Sequence, residues 1–451
     1  MGASEERQSG LRREIGLRDL VLFNIAAVIG IRWLAAAAHA GAGSISLWLL
    51  AALLFFVPSA LAVSMLSRCF PEEGGLYIWT KRSFGDWHGF VAGWCFWLSN
   101  LFYFPNLALA GVAMGVYALG AQHTHLAGNR GFVLGASLAL LWAALLSHLF
   151  GLRIGKWTQN IGGLSTYAAG GLIIAAGAVV WAMYGAATPM QLAPQWNWDK
   201  VNFWSQIAFA FGGLELGAVM GGEIRNPKRN VPRAAWISGS AICVFYIAGT
   251  LAILALLAPE NVSVLTGLAQ AGQVASERTG LAWFSPLLAG LITLGVVGQL
   301  GAWVGGSARV PFAIGLDRYL PPALGKLHPR WGTPYISLLA QGGVCTGFIL
   351  LLQSGEELEI AYQLLVDMTV ITYFIPFVYV FLSAWRQGQR LGPACGLSVT
   401  IAAILLSLVP PADVASVWWF EVKLVGGCLL LLLGGRLAFL KGVRYQRSQA
   451  L

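Results

Sequence analysis

Arg32 and Glu215 are the side chains whose type and setting suit chemistry with a small charged molecule. Each lies in a stretch apolar enough for a bilayer, and each follows glycine closely: Gly30 before Arg32, and the Gly212–Gly213 pair before Glu215. A charge at mid-membrane is costly and persists mainly where it faces a cavity or a partner. Glycine weakens a helix interior by roughly 1 kcal/mol relative to alanine, so both places are predicted helix breaks. A broken helix offers unpaired backbone groups beside one fixed charge, which is what a polar ligand needs. Glu215 would hold an amine, carry a proton, or serve only as a structural acceptor. Arg32 would grip a carboxylate through two parallel bonds, snorkel, or pair with Glu215 at rest. Around them, Ile29, Gly30, Ile31, Phe209, Phe211, Gly212, Gly213 and Trp303 complete the expected substrate site. Phe209 and Trp303 would stack over a cation, close the site, or merely pack.

The elements that must position these residues follow from composition. The chain has 451 residues, 57% hydrophobic and 10% charged, with a mean hydropathy of +0.69. Soluble domains carry about 25% charged residues, so this is an integral membrane protein, and apolar runs long enough for helical spans make the expected class all-α. Runs of about 20 apolar residues cross a bilayer. Twelve are expected, near 18–40, 45–66, 88–118, 131–150, 159–183, 203–223, 234–257, 283–307, 335–353, 359–384, 393–410 and 416–436. Residues 1–16 are polar and show no cleavable leader, so the N-terminus and, after an even count, the C-terminus are expected in the cytosol. Of the 28 Lys and Arg, outer segments would hold only Arg130, Lys200 and Arg278, while Arg32 and Lys423 fall inside spans. That imbalance obeys the positive-inside rule. It also explains the net charge of +9 without a nucleic-acid partner. The partners expected are the lipid bilayer, a small-molecule amino acid or amine, and in one reading a proton.

Spans one and six share a plan: an apolar first half, a central glycine, an ionisable residue, then small residues. Matching interruptions five spans apart point to a transport site between inverted repeats. The expected organisation is a tail at 1–16, a core at 17–385 with halves at 17–183 and 203–385, two appended helices at 386–440, and a tail at 441–451. The loop after span two, FPEEGGLYIWTKR, turns at Pro71–Gly75 and predicts a short amphipathic helix at the inner interface, with Lys81 and Arg82 toward headgroups. Asp367 reads as a local helix acid, and His39 and His148 as packed. The six cysteines have no metal spacing, and no cofactor is expected. No histidine cluster, nucleophile elbow or phosphate-binding lysine loop points to an enzyme or a primary pump.

Four features resemble the amino acid–polyamine–organocation transporters over about residues 15–440. They are FPEEGGLYIWTKRSFGDWHGFVAGW at 70–94, AFAFGGLELGAVMGGEIRNPKRNVPRA at 208–234, LDRYLPPALGKLHPRWGTP at 316–334, and twelve spans with the first interrupted. The resemblance implies a leucine-transporter-type fold of two inverted five-helix repeats with broken helices one and six. It implies a secondary transporter in a plasma or inner cell membrane, working by proton coupling or exchange. A transport-inactive sensor or partner subunit of the same fold is the alternative. Trp303, Glu215 and Phe209 are similar in position to site residues of the arginine–agmatine antiporters, and AWVGGSAR at 302–309 resembles the glutamate–GABA antiporters. Two departures stand out. Arg32 replaces the second glycine of the family's first break, and Thr166 stands where some proton-coupled members have a lysine.

Overall fold

Inside lipid an apolar run satisfies its own backbone only as a helix or a closed barrel, and here the runs are helices. The structure, a computed structural model, describes residues 13–193, 201–351, 358–410 and 416–449. Most of the expected 1–16 tail, Lys200 and the last two residues of the 441–451 tail lie outside the described residues.

Helices α1 (Leu17–Val28) and α2 (Arg32–Ala40) meet at a bend of 44°. α3 (Ser44–Ala51) passes through a π-helical turn into α4 (Val57–Cys69). Then come α5 (Leu76–Phe84), α6 (Asp86–Gly115), α7 (Arg130–Leu149) and α8 (Leu152–Tyr184). A second interruption separates α9 (Val201–Phe209) from α10 (Leu214–Val219), followed by α11 (Pro227–Leu256) and the short α12 (Gly267–Thr279). α13 (Phe284–Ser307) runs on into α14 (Arg309–Leu316). α15 (Tyr335–Leu351), α16 (Leu358–Arg386), α17 (Leu391–Leu406) and α18 (Val417–Gln449) complete the order. Among the described residues, 8 helical segments are long and apolar enough to cross a membrane, and the bent α1–α2 pair raises this to 9. The apolar parts of α15 and α17 are shorter.

The second break follows from its glycines. Gly213 has φ 117°, in the left-handed region. A β-carbon there would also lie 3.0 Å from Val28 and 3.2 Å from the Trp303 ring. Close helix packing has the same origin elsewhere: a β-carbon on Gly162 of α8 would come within 2.3 Å of Gly298 on α13. Small residues let membrane helices approach this closely. α1 packs against α8, α11 and α13, so the first break is enclosed on several sides.

Tertiary contacts correct two expectations, and one helix runs longer than expected. The short helix after span two forms as α5, but Leu76, Tyr77, Ile78, Trp79 and Thr80 are buried in the bundle rather than laid on a headgroup layer. Its Lys81 pairs with Asp317 at 2.9 Å and its Arg82 with Glu72 at 2.9 Å. Arg309, which follows the expected span 283–307 and so counts among the inner basic residues, is not solvated there but 1% exposed and paired with Glu223. α18 runs to Gln449, so residues assigned to the tail after 440 continue that helix.

Arg309 belongs to a latch at one end of the bundle. Its Nε and Nη2 donate to both oxygens of Glu223 at 2.9 and 2.8 Å, a bidentate pair. Glu73, in the turn before α5, lies 4.0 Å from Arg309 and accepts from Gly222 N–H at 2.8 Å. The backbones of Ile15 and Glu223 are bonded at 3.1 Å, which ties the start of the chain to the end of the second broken helix. Burial, followed by the Glu223 carboxylate, pushes the Glu73 carboxyl up to about 8 from 4.5. A carboxyl raised in the native state binds its proton more tightly folded than unfolded. Its stabilisation is therefore full below about pH 4.5 and lost as pH rises to about 8. Glu73→Gln, which mimics the protonated form, is expected to flatten the decline in thermal stability between about pH 5 and pH 8. Unfolding curves of the purified protein measure this, and parallel pH profiles for the two proteins would contradict it.

Candidate functional site

The last turn of α1 ends with carbonyls that no further helical turn can use. Side chains from other helices take them up. Ala27 O accepts from Trp303 Nε1 at 2.7 Å and from Gln299 Nε2 at 3.1 Å, both on α13. The Tyr246 hydroxyl of α11 lies 2.7 Å from Val28 O and 2.9 Å from Ala210 O, one acceptor at each break, and accepts from Gly30 N–H at 3.2 Å. One hydroxyl thus joins the two interruptions. Tyr246→Phe removes these bonds with little change of shape. It is expected to cost about 1–3 kcal/mol, because buried backbone groups lose their partner. Denaturation of the solubilised protein reads this directly, and an unchanged midpoint would contradict the bridging role.

Arg32 opens α2 and is 2% exposed. Its Nη1 donates to Asn106 Oδ1 of α6 and lies 3.5 Å from the Tyr362 hydroxyl of α16. Asn106 is fixed in turn by its own donation to Tyr362 O at 3.1 Å. The guanidinium lies 4.2 Å from the Trp33 ring centre and 4.8 Å from that of Tyr103. Its Nε and Nη2, which form one edge of the fork, have no hydrogen-bond partner among the described residues.

Glu215, in the first turn of α10, is fully buried. Oε1 accepts from the Tyr373 hydroxyl of α16 at 2.8 Å, and Oε2 accepts from Gly213 N–H at 3.1 Å. Gly213 N–H also reaches the Tyr373 oxygen at 2.8 Å. Both of these partners are neutral. Among the described residues neither Arg32 nor Glu215 makes an ion pair, so the resting Arg32–Glu215 pair weighed from the sequence does not form. A buried carboxylate with only neutral donors is balanced by a proton or by a cationic ligand.

Rings fill the space between the two charges. Phe209 meets Trp33 at 5.5 Å and Tyr373 at 4.9 Å, edge to face. Tyr103 meets Trp303 at 5.2 Å and Phe209 at 6.0 Å. Contacts therefore run unbroken from Arg32 through Trp33 or Tyr103 to Phe209, Tyr373 and Glu215. Ile29, Gly30 and Ile31 form the first break, and Gly212 and Gly213 lie in the second, all buried. Phe211 is not brought to this group; its ring packs among Trp48, Phe56 and Tyr246. Asp367 accepts from Gln363 one turn earlier, at 3.1 Å. His148 is packed against the glycines Gly155 and Gly305. Thr166 faces Gly295 between α8 and α13.

Sequence reasoning missed Tyr246, Tyr373, Asn106 and Tyr362 as site-builders. A signal existed: each is a hydrogen-bonding side chain deep in an apolar run, and a buried tyrosine hydroxyl usually finds a partner. What that partner would be depended on contacts between distant segments.

One bent helix pair of membrane-crossing length and a second, shorter helix interruption bring two buried opposite charges into one group of contacts within an apolar helical bundle. The chain belongs to the amino acid permease family, whose model matches residues 15–411. It is similar to an uncharacterized transporter of Legionella pneumophila, 28% identical over 93% of this chain and 95% of the relative. It is similar to the serine/threonine exchanger SteT of Bacillus subtilis, 26% identical over 85% of this chain and 86% of the relative. It is also similar to the glutamate/gamma-aminobutyrate antiporter of Lactococcus lactis, 23% identical over 81% and 78%. By this family and these relatives the chain is a membrane transporter rather than a transport-inactive member of the fold.

Proposed function

We propose that this permease exchanges a zwitterionic amino acid by alternating access, with the substrate held between the two helix breaks. The observation that carries the reading is that two buried opposite charges, Arg32 and Glu215, make no ion pair among the described residues. The free Nε–Nη2 edge of Arg32 fits a carboxylate in two parallel bonds. Glu215, with Tyr373 beside it, fits the α-ammonium. Backbone at Ile29, Gly30, Ile31, Gly212 and Gly213 lines the ligand, and Phe209, Trp303 and Tyr103 close over it. Phe211 acts from behind, by holding Tyr246 in place. A substrate with both charges lets each buried group trade neutral contacts for an ionic one, which limits desolvation cost. A polyamine meets a repelling guanidinium. The names of the relatives agree with amino acid exchange, since one is a serine/threonine exchanger and another a glutamate/gamma-aminobutyrate antiporter.

The same reading takes the chain as twelve crossings in two inverted five-helix repeats. Its support is a symmetry of packing. The most extensive helix pairings are α8 with α13 and α6 with α16. Numbered as crossings, these are five with eight and ten with three, which interchange when every crossing moves by five. The basic residues gathered at one end favour cytosolic termini in a cell membrane.

Counterflow in proteoliposomes tests the proposal. Vesicles preloaded with an unlabelled amino acid are expected to accumulate the labelled form, after a thermal-shift screen has chosen it, because a ligand of the native state raises apparent stability. Stabilisation by amines lacking a carboxylate, with no counterflow of any amino acid, would overturn it.

A further inference from the structure

A cavity of about 790 Å³ opens on the flank of the bundle, at the end where α1 begins. It lies between Leu17 of α1, the last turns of α4, the first turns of α11 and Gln389. It joins two chemistries. Leu61, Met65, Trp236 and Ile237 make an apolar channel, and Leu61, Trp236 and Ile237 are 39%, 40% and 54% exposed on helices of membrane-crossing length. Arg68 and Arg233 line the same cavity, are exposed, and have no acidic partner among the described residues. Between the helices, Ser64 is 8% exposed, and its hydroxyl lacks a hydrogen-bond partner, as does Gln389 Oε1.

We propose that this groove binds one anionic phospholipid. The phosphate is held by Arg68 and Arg233 near the Ser64 hydroxyl, and an acyl chain lies along Leu61, Trp236 and Ile237. Guanidinium groups suit a phosphate because their forked donors match its oxygens. Basic pockets between membrane helices are where acidic headgroups are held, and tryptophan favours that depth. A free anion would use the arginines and leave the apolar channel unmatched; a neutral lipid would do the reverse. The occupant that satisfies both is a lipid with a net negative headgroup. The groove is separate from the central site: none of the residues lining it is among those around Arg32 and Glu215.

The test uses the full chain, purified in detergent and stripped of native lipid. Native mass spectrometry counts lipid retained from added phosphatidylglycerol or phosphatidylcholine, and thermal unfolding is followed with the same lipids and with inorganic phosphate. One retained phosphatidylglycerol and an upward shift in unfolding temperature are expected, with neither from phosphatidylcholine or phosphate. The double variant Arg68→Gln, Arg233→Gln is expected to weaken phosphatidylglycerol retention about tenfold or more. Arg444→Gln with Arg447→Gln, which removes equal charge from α18, is expected to retain it. Equal retention by both double variants would overturn the proposal. So would equal loss from both, which would show only general attraction to a basic surface, or a shift reproduced by phosphate alone, which would make this a free-anion site. Because Arg68 and Arg233 are exposed and make no ion pair among the described residues, the variant's unfolding temperature without lipid is expected to match the wild type. If it falls instead, retention by Ile237→Asp, which spoils the acyl channel and leaves both arginines, decides the matter: undiminished phosphatidylglycerol there would overturn the proposal.

Discussion

Arg32→Ala raises the concentration of amino acid needed for half-maximal exchange by about 100-fold, and Arg32→Lys by less. Truncating one partner of a buried, hydrogen-bonded charge pair costs about 2–5 kcal/mol, and about 1.4 kcal/mol is tenfold in affinity. Lysine keeps the charge but not the fork that offers Nε and Nη2 together. The sign of the effect depends on the ligand. An amine without a carboxylate gains from the loss of the guanidinium, so its binding to Arg32→Ala is unchanged or tighter. A folding defect would weaken both ligands alike. Unchanged apparent affinity for the amino acid in both variants would remove Arg32 from the site.

Arg309→Met destabilises the protein by about 3–5 kcal/mol, the usual cost of leaving a buried carboxylate without its partner. Glu223 would keep its place with no cation, and Glu73 lies in the same pocket. The double variant Arg309→Met, Glu223→Gln is expected to regain most of this loss, because replacing both members of a buried pair is often close to neutral. Thermal unfolding of the wild type, of Arg309→Met, of Glu223→Gln and of the double variant separates the cases. Additive losses would show that Arg309 acts by packing alone. The latch ties Ile15, Glu73, Glu223 and Arg309 together at one end of both broken helices. Variants of it therefore change how readily that end opens, and altered exchange rates should accompany altered stability.

Both helix breaks of the candidate site were legible because two local signals coincide. Glycine beside an ionisable residue inside an apolar run marks both breaks, and Gly213 needs its glycine for φ 117°. The membrane setting follows from composition, and the helical class from apolar runs of about 20 residues. The hidden part is what holds the breaks open. Tyr246 is 216 residues from Gly30, and Tyr373 is 158 from Glu215. Nothing in either neighbourhood names its partner. Arg309 misled for the same reason: basic residues near helix ends are usually solvated, and only the contact with Glu223 shows otherwise. α5 carries an amphipathic pattern that fits a membrane surface, yet α6 and α16 cover its apolar side. Phe209 and Phe211 are two residues apart, and the turn at the end of α9 sends their rings to different neighbours.

A density map of the permease with its exchanged amino acid bound tests the central claim most directly. The ligand is predicted between the end of α1 and the start of α10, with its carboxylate on Nε and Nη2 of Arg32 and its ammonium on Glu215. Phe209 and Tyr103 should have moved apart to admit it. A ligand bound elsewhere, with Arg32 still on Asn106 and Glu215 still held only by Tyr373 and Gly213, would contradict the account.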